Sequence, residues 1–348
     1  MTSTGREWSG AVELTVSCED GQVRALAYPS LVGEARAGDR VLLNTTALHQ
    51  GLGTGGYALV VAVPDRLPAD GAPAGHIVKC RYSPLQATVA SADEQGSPWH
   101  ELLREADDIG GMPVVVADLH SALPAVLAGA SAGSERRVCY VMTDGGALPA
   151  WFSRTLSGLR AAGWLDAVVT TGQAFGGDLE AVTLHSGLLA ARLVLNADVA
   201  VVTQGPGNAG TGTRWGFSGL AAGEAVNAAA VLGGRPVASL RVSAADPRPR
   251  HQGVSHHSLT AYGRVALAPA DVVVPALPGE FGARVALAAS VLAPRHRLVE
   301  VAVDGLADAL RACPVPLSTM GRSLDQDPEY FLAAAAAGRH AAALAGGT

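Results

Sequence analysis

Two stretches constrain the fold more than any others. Val168-Val169-Thr170-Thr171 runs straight into Gly172-Gln173-Ala174-Phe175-Gly176-Gly177-Asp178. Val199-Ala200-Val201-Val202-Thr203 runs into Gln204-Gly205-Pro206-Gly207-Asn208-Ala209-Gly210-Thr211-Gly212-Thr213. Each is a short apolar run, without polar alternation, that stops at a glycine-rich polar loop. A strand covered on both faces reads this way, because neither face has to meet water. In an open α/β sheet, ligands bind outside the carboxyl ends of such strands. The loops therefore mark where a site is expected, without naming a reaction.

The rest of the chain supports this frame. From residue 113 onward, apolar runs alternate with helical stretches, which predicts a Rossmann-like, doubly wound, mostly parallel α/β domain over 113–325. Helices are expected over 121–130, 147–162 (with Pro149 in the first turn), 178–195, 220–232 and 281–292, and an alanine-rich helix over 331–344. Residues 1–95 read instead as short strands and turns, a β-rich unit of barrel or sandwich type. Residues 96–112 read as a linker, 326–348 as a C-terminal helix and tail, and 63–75 as a surface loop.

At 348 residues, 49% hydrophobic and 16% charged, the chain can bury a large core and is not disordered. A net charge of -6 disfavours a non-specific binder of nucleic acid. Cys18, Cys80, Cys139 and Cys313 are far apart and form no CxxC, which fits a reducing cytoplasm better than a disulfide framework. Residues 1–10 are polar, without an apolar leader core, and no apolar run is long enough to span a membrane.

Three loops carry candidate chemistry. In Met142-Thr143-Asp144-Gly145-Gly146-Ala147, the two glycines permit close backbone approach to a ligand, and Asp144 could take a proton, ligate a metal or simply cap a helix. In the second loop, Thr171, Gly172, Gly176 and Gly177 offer the same backbone chemistry. Asp178 there is expected at a helix start, where a carboxylate is favoured. In the third, Gly205, Gly207, Asn208, Gly210 and Thr211 combine amides and hydroxyls suited to a phosphate, carboxylate or ribose. Its Gly-x-Gly-x-x-Gly spacing matches a dinucleotide fingerprint, but no helix follows at once and no acidic residue stands at a strand end about twenty positions on.

Arg248-Pro249-Arg250-His251-Gln252-Gly253-Val254-Ser255-His256-His257 adds a cluster of imidazoles and guanidiniums after a predicted strand end. His251 and His256 are candidates for acid–base chemistry, and Arg250 with Ser255 for contact to an anion. The irregular spacing gives no recognisable zinc motif. Asp118, His120 and His257 are the weaker metal candidates. Lys79 is the only lysine, and strand alternation puts it on one face with Arg81 as a solvated charge. The stripe Ala181, Gly187, Ala190 and Ala191 fits either a subunit contact or the core.

Several segments together carry a resemblance to a known family. They are Leu43-Asn44-Thr45-Thr46, Gly51-Leu52-Gly53-Thr54-Gly55-Gly56-Tyr57, residues 76–86, Val141 through Pro149, residues 172–181, 205–219 and 250–259. On these the chain resembles the bacterial domain of unknown function 3866 family, common in Actinobacteria. The resemblance implies no established reaction and no cofactor. It admits action through a protein partner such as a chromosome-partitioning ATPase. Two functional expectations follow: a small anionic-ligand site on the strand-end loops, with or without catalysis, or a non-catalytic regulator acting through another protein.

Overall fold

The computed structural model describes residues 1–19, 21–69, 75–130 and 136–346. The turn at 19–21 and the surface loop at 63–75 lie partly outside these described residues.

The N-terminal β-rich part is a five-stranded mixed sheet. Its strands are β1 (Ser3–Trp8), β2 (Ala11–Cys18), β3 (Gly21–Ala27), β4 (Leu42–Asn44) and β5 (Ala58–Ala62), in the order β1-β2-β3-β5-β4. One group of buried side chains on this sheet includes Leu14, Val16, Ala25, Val32 and Val60. A second group, Ala11, Leu26, Tyr28 and Tyr57, meets Trp151 and Phe152 of the α/β part. Trp8 Nε1 donates to Trp151 O at 2.7 Å, which fixes the two parts together. A small hairpin, β6 (Ile77–Lys79) and β7 (Ala87–Val89), follows.

The α/β part is built on eight parallel strands: β8 (Pro113–Val116), β9 (Val138–Thr143), β10 (Ala167–Thr170), β11 (Leu179–Glu180), β12 (Val199–Gln204), β13 (Arg235–Ser239), β16 (Asp271–Ala276) and β17 (Arg297–Ala302). Between β13 and β16 lies an antiparallel pair, β14 (Val242–Ser243) and β15 (Gly253–Val254). The sheet order is β11-β10-β9-β12-β8-β13-β16-β17. Val114 and Val116 belong to one core, with the helices Leu184–Leu189 and Ala221–Val231. Val115 belongs to the other, with Leu123–Ala130 and Pro328–Ala345. Strand alternation thus feeds two helix layers, and this doubly wound architecture explains the continuous apolar runs.

The order contains a reversal. From β8 the chain moves outward through β9, β10 and β11, then returns to insert β12 beside β8, and moves the other way through β13. The helix after β8 and the helix after β12 lie in different layers, so a crevice opens between the carboxyl ends of these two strands.

Two helix expectations are corrected. The stretch 147–162 is α-helical only over Arg154–Ala161, after a 3-10 turn at Ala150–Phe152, with Ser153 Oγ accepting from Leu156 N. Pro149 is extended and bridges Phe175, because the preceding residues pack on the loop after β10. The helix placed at 178–195 starts at Leu184, capped by Thr183 in a capping box with Ser186. Residues 179–180 pair with β10 instead, and a two-residue strand carries no readable period. Ala181, Ala190 and Ala191 are fully buried in the core, and a Cβ at Gly187 would meet Thr171 and Val141. That stripe is therefore spent within the chain. Ile109 and Met112 of the expected linker are also buried, and the helix Pro328–Ala345 packs inside the α/β layers.

Candidate functional site

The crevice between β8 and β12 is closed at its floor by a side chain that ends β12. Gln204 Nε2 donates to Asp118 O and to Asn208 Oδ1, each at 3.0 Å. Only a void of about 10 Å³ remains beneath. Asn208 Oδ1 also accepts from Ser218 Oγ at 3.3 Å, so this amide closes its own loop. The loop turns at Gly207 (φ 95°) and Gly212 (φ 79°), backbone conformations that a Cβ disfavours. A bridge between Gly210 and Phe217 closes it. Thr211 through Trp215 stay exposed, while Phe217 turns inward.

Phe217 meets the histidine segment. After β13, Arg241 is buried, and β14 and β15 pair to double the chain back on itself. Ser255 then caps the helix His256–Thr260 by accepting from His257 N. The hairpin returns His251 to its neighbours, with ring centroids 5.0 Å from His256 and 4.8 Å from His257. His256 and His257 are 4.5 Å apart, and Phe217 stacks on His257 at 3.7 Å with its ring nearly parallel. Each of the three imidazoles brings a nitrogen within 4.8 Å of the others. Their irregular sequence spacing hid this, because the hairpin brings them together where no single helix or strand would.

Asp118, immediately beyond β8, sits behind this group. Its Oδ2 lies 3.5 Å from His257 Nδ1 and 3.7 Å from Arg241 Nη1. Both residues are nearly sealed from solvent, at 5% and 3% exposure. Arg241 also approaches Asp246, which is fully buried and is held by Arg248 and Arg322. Arg322 Nε donates to Asp327, which also accepts from Ser243 Oγ. Burial raises the pKa of Asp118, but His257 and Arg241 outweigh it and hold the carboxyl below its usual range. Burial first, and then the Arg241 and Arg248 charges, push His251 down to about 3, and His256 moves the same way.

Among the described residues, five buried side-chain polar atoms lack a hydrogen-bond partner. Four of the five belong to this crevice: Asp118 Oδ2, Gln204 Oε1, Arg241 Nη2 and His256 Nε2. Unpartnered buried groups are costly and rare, and here they gather beyond the ends of β8, β12 and β13.

The remaining candidate residues fall around it. Arg250 is exposed, with its guanidinium beside Gly212. Ser255 Oγ lies 2.7 Å from His251 Nδ1. Thr143, Gly145 and Gly146 border Gln204. A Cβ at Gly145 would strike the Gln204 amide, and one at Gly146 the Gly205 carbonyl, so the close backbone approach is to the neighbouring loop. Asp144 Oδ2 accepts from Gln173 N at 2.8 Å and faces a cavity of about 680 Å³ under the β6–β7 hairpin. Thr171 donates to Met142 O. Gly176 N donates to Glu180 Oε1 and Gly177 N to Thr170 Oγ1, while a Cβ at Gly172 would strike Asp144.

Two of these placements differ from the sequence expectation. Asp178 pairs with Arg160 and accepts from Val168 N, outside any helix start. Lys79 is 0% exposed, and its Nζ donates to Thr170 O, Ala174 O and Glu180 Oε2 at 2.8–2.9 Å. The strand ends at Lys79, and Cys80 and Tyr82 take positive φ, so the period-two alternation does not run on to Arg81. His120 is apart from the other histidines, between Tyr140 Oη (3.0 Å) and Ser153 Oγ (2.8 Å). Arg241 and Phe217 were missed. An arginine directly after the buried run 236–240 was the available signal for the first.

None of the four cysteines is in a disulfide, and among the described residues no helix is long and apolar enough to cross a membrane. No curated protein and no solved structure matches the chain. The model of one family, described as a protein of unknown function (DUF3866), matches residues 24–338. With nearly its whole length matched, strand-end crevice and histidine hairpin included, the chain belongs to the DUF3866 family.

Proposed function

We propose that this protein binds a small anionic molecule, a phosphate, nucleotide or carboxylate, on the rim where β8, β12 and β13 end. The carrying observation is the group of unpartnered buried atoms at Asp118, Arg241 and His256, roofed by the glycine-rich loop. A bound anion would supply an acceptor for Arg241 Nη2, and a protonated oxygen on it a donor for His256 Nε2. Arg241 Nη2 makes no hydrogen bond, with the Asp246 carboxylate 3.5 Å away, and Arg250 adds a second cation at the edge. Exposed backbone around Gly207 and Gly212 supplies amides for the anion's outer oxygens. His251 and His256, held neutral at pH 7, can accept a hydrogen bond or a proton from the bound molecule. Four cysteines outside disulfides favour a reducing compartment such as the cytoplasm.

Thermal shift and calorimetric titration test this with inorganic phosphate, a nucleotide, a sugar phosphate and a dicarboxylate. One class is expected to raise the melting temperature. Arg250→Ala should weaken that class by about 10-fold, as loss of a charge-assisted contact would. The proposal fails if no class stabilises the protein, or if the response survives in both Arg250→Ala and His256→Ala.

A further inference from the structure

We infer that His251, His256 and His257 together hold a divalent first-row transition metal of the zinc type through three imidazole nitrogens. This goes beyond the anion reading, shares His256 Nε2 with it, and stands on the ring geometry of the three histidines. Three ring nitrogens already lie within 4.8 Å of one another. A tetrahedral ion with bonds of about 2.0–2.1 Å needs its nitrogens roughly 3.4 Å apart, so drawing the rings in by about 1 Å completes the set.

The committed nitrogens fix which ones remain. His251 Nδ1 is taken by Ser255 Oγ, and His257 Nδ1 faces Asp118 and Arg241 at 3.4–3.5 Å. Nε2 is left on both rings, and His256 Nε2 is buried without a partner. A carboxylate behind an imidazole is the arrangement that orients a metal-binding ring and raises its basicity. Asp118 stands in that place as a positioning residue, and Phe217 locks the His257 plane by stacking. An imidazole-only set suits zinc, copper, iron or nickel rather than magnesium or calcium, which require oxygen ligands.

Three protein nitrogens leave the fourth position of a tetrahedral ion open to an anion or hydroxide. Asp118, Asp246 and Asp327 face Arg241, Arg248 and Arg322 around the rings, and Arg250 adds a further guanidinium at the edge, where it would meet an anion bound at that position.

The test uses the untagged full-length protein, stripped with chelator and titrated with Co²⁺. One equivalent is expected to bind with the visible bands of a nitrogen-liganded ion, and Zn²⁺ should displace it. His251→Asn and His256→Asn should each abolish the bands with folding intact by circular dichroism, and Asp118→Asn should weaken binding by about 10–100-fold. If a variant does not fold, proton NMR of the wild-type Co²⁺ form decides instead: shifted imidazole N–H signals from the metal-bound rings support the site, and their absence overturns it. No bands in the wild type, or bands that persist in both histidine variants, would also overturn it. Phosphate binding without Co²⁺ bands would sink the metal and leave the anion site. Co²⁺ binding in a protein that responds to no anion would do the reverse.

Discussion

At the scale of single residues, Lys79 shows how burial and partners decide the role of a charge. A lysine ammonium sealed from water is costly unless its donors are met, and here three acceptors meet all three. Burial pulls the Lys79 pKa down, and the neighbouring Glu180 carboxylate acts against it. Glu180 is held in turn by Thr170 Oγ1 at 2.6 Å and by Gly176 N. The glycine loop after β10 thus spends amide donors on a carboxylate of its own chain. Lys79→Met should cost about 3–5 kcal/mol in urea unfolding, because it strands Glu180. Adding Glu180→Gln should recover part of that loss. Additive losses would mean that the two residues act independently. Nothing in the local sequence pointed to this pair, since its members lie about a hundred positions apart and the alternation of the hairpin arm breaks at Cys80.

Among elements, legibility followed length and period. The apolar runs that became β8, β9, β10, β12 and β13 were readable because strands buried on both faces have no other composition open to them. The glycine-rich strand ends were readable too; the loop after β12 borders the crevice, while the loop after β10 bonds its own chain. What could not be read were elements too short to show a period: β11, and the β14–β15 pair that gathers the histidines. Helix contacts were equally invisible. Gly129 and Gly338 let the helices Leu123–Ala130 and Pro328–Ala345 approach so closely that a Cβ at either would strike a backbone carbonyl of the other helix. Helix propensity alone would make Gly338→Ala stabilising by about 1 kcal/mol. Backbone cannot yield as a flexible side chain can, so overpacking should win, with a net loss on the order of 1–2 kcal/mol in chemical denaturation. A gain in stability would show that the two helices have room to spare.

For the whole molecule, the strand order is what gathers scattered residues into one cluster. Asp118, Phe217, Arg241 and the three histidines come from three segments that follow β8, β12 and β13. Only the insertion of β12 beside β8, with β13 on the other side, brings those ends together. His120 is close in sequence to Asp118, yet it is bonded elsewhere, to Tyr140 and Ser153. The N-terminal sheet docks through Trp151, and the hairpin through Lys79, both away from the histidine cluster. The proposed ligand binding is thus confined to three of the chain's ten histidines. The direct measurement is a titration of the protein, labelled with ¹⁵N in its histidine rings, with inorganic phosphate in the presence of Zn²⁺. His251, His256 and His257, assigned by single substitutions, should shift together while His120 and His296 stay fixed. Movement of His120 or His296 without the three, or no movement of any imidazole, would contradict a ligand site at the β8/β12 crevice.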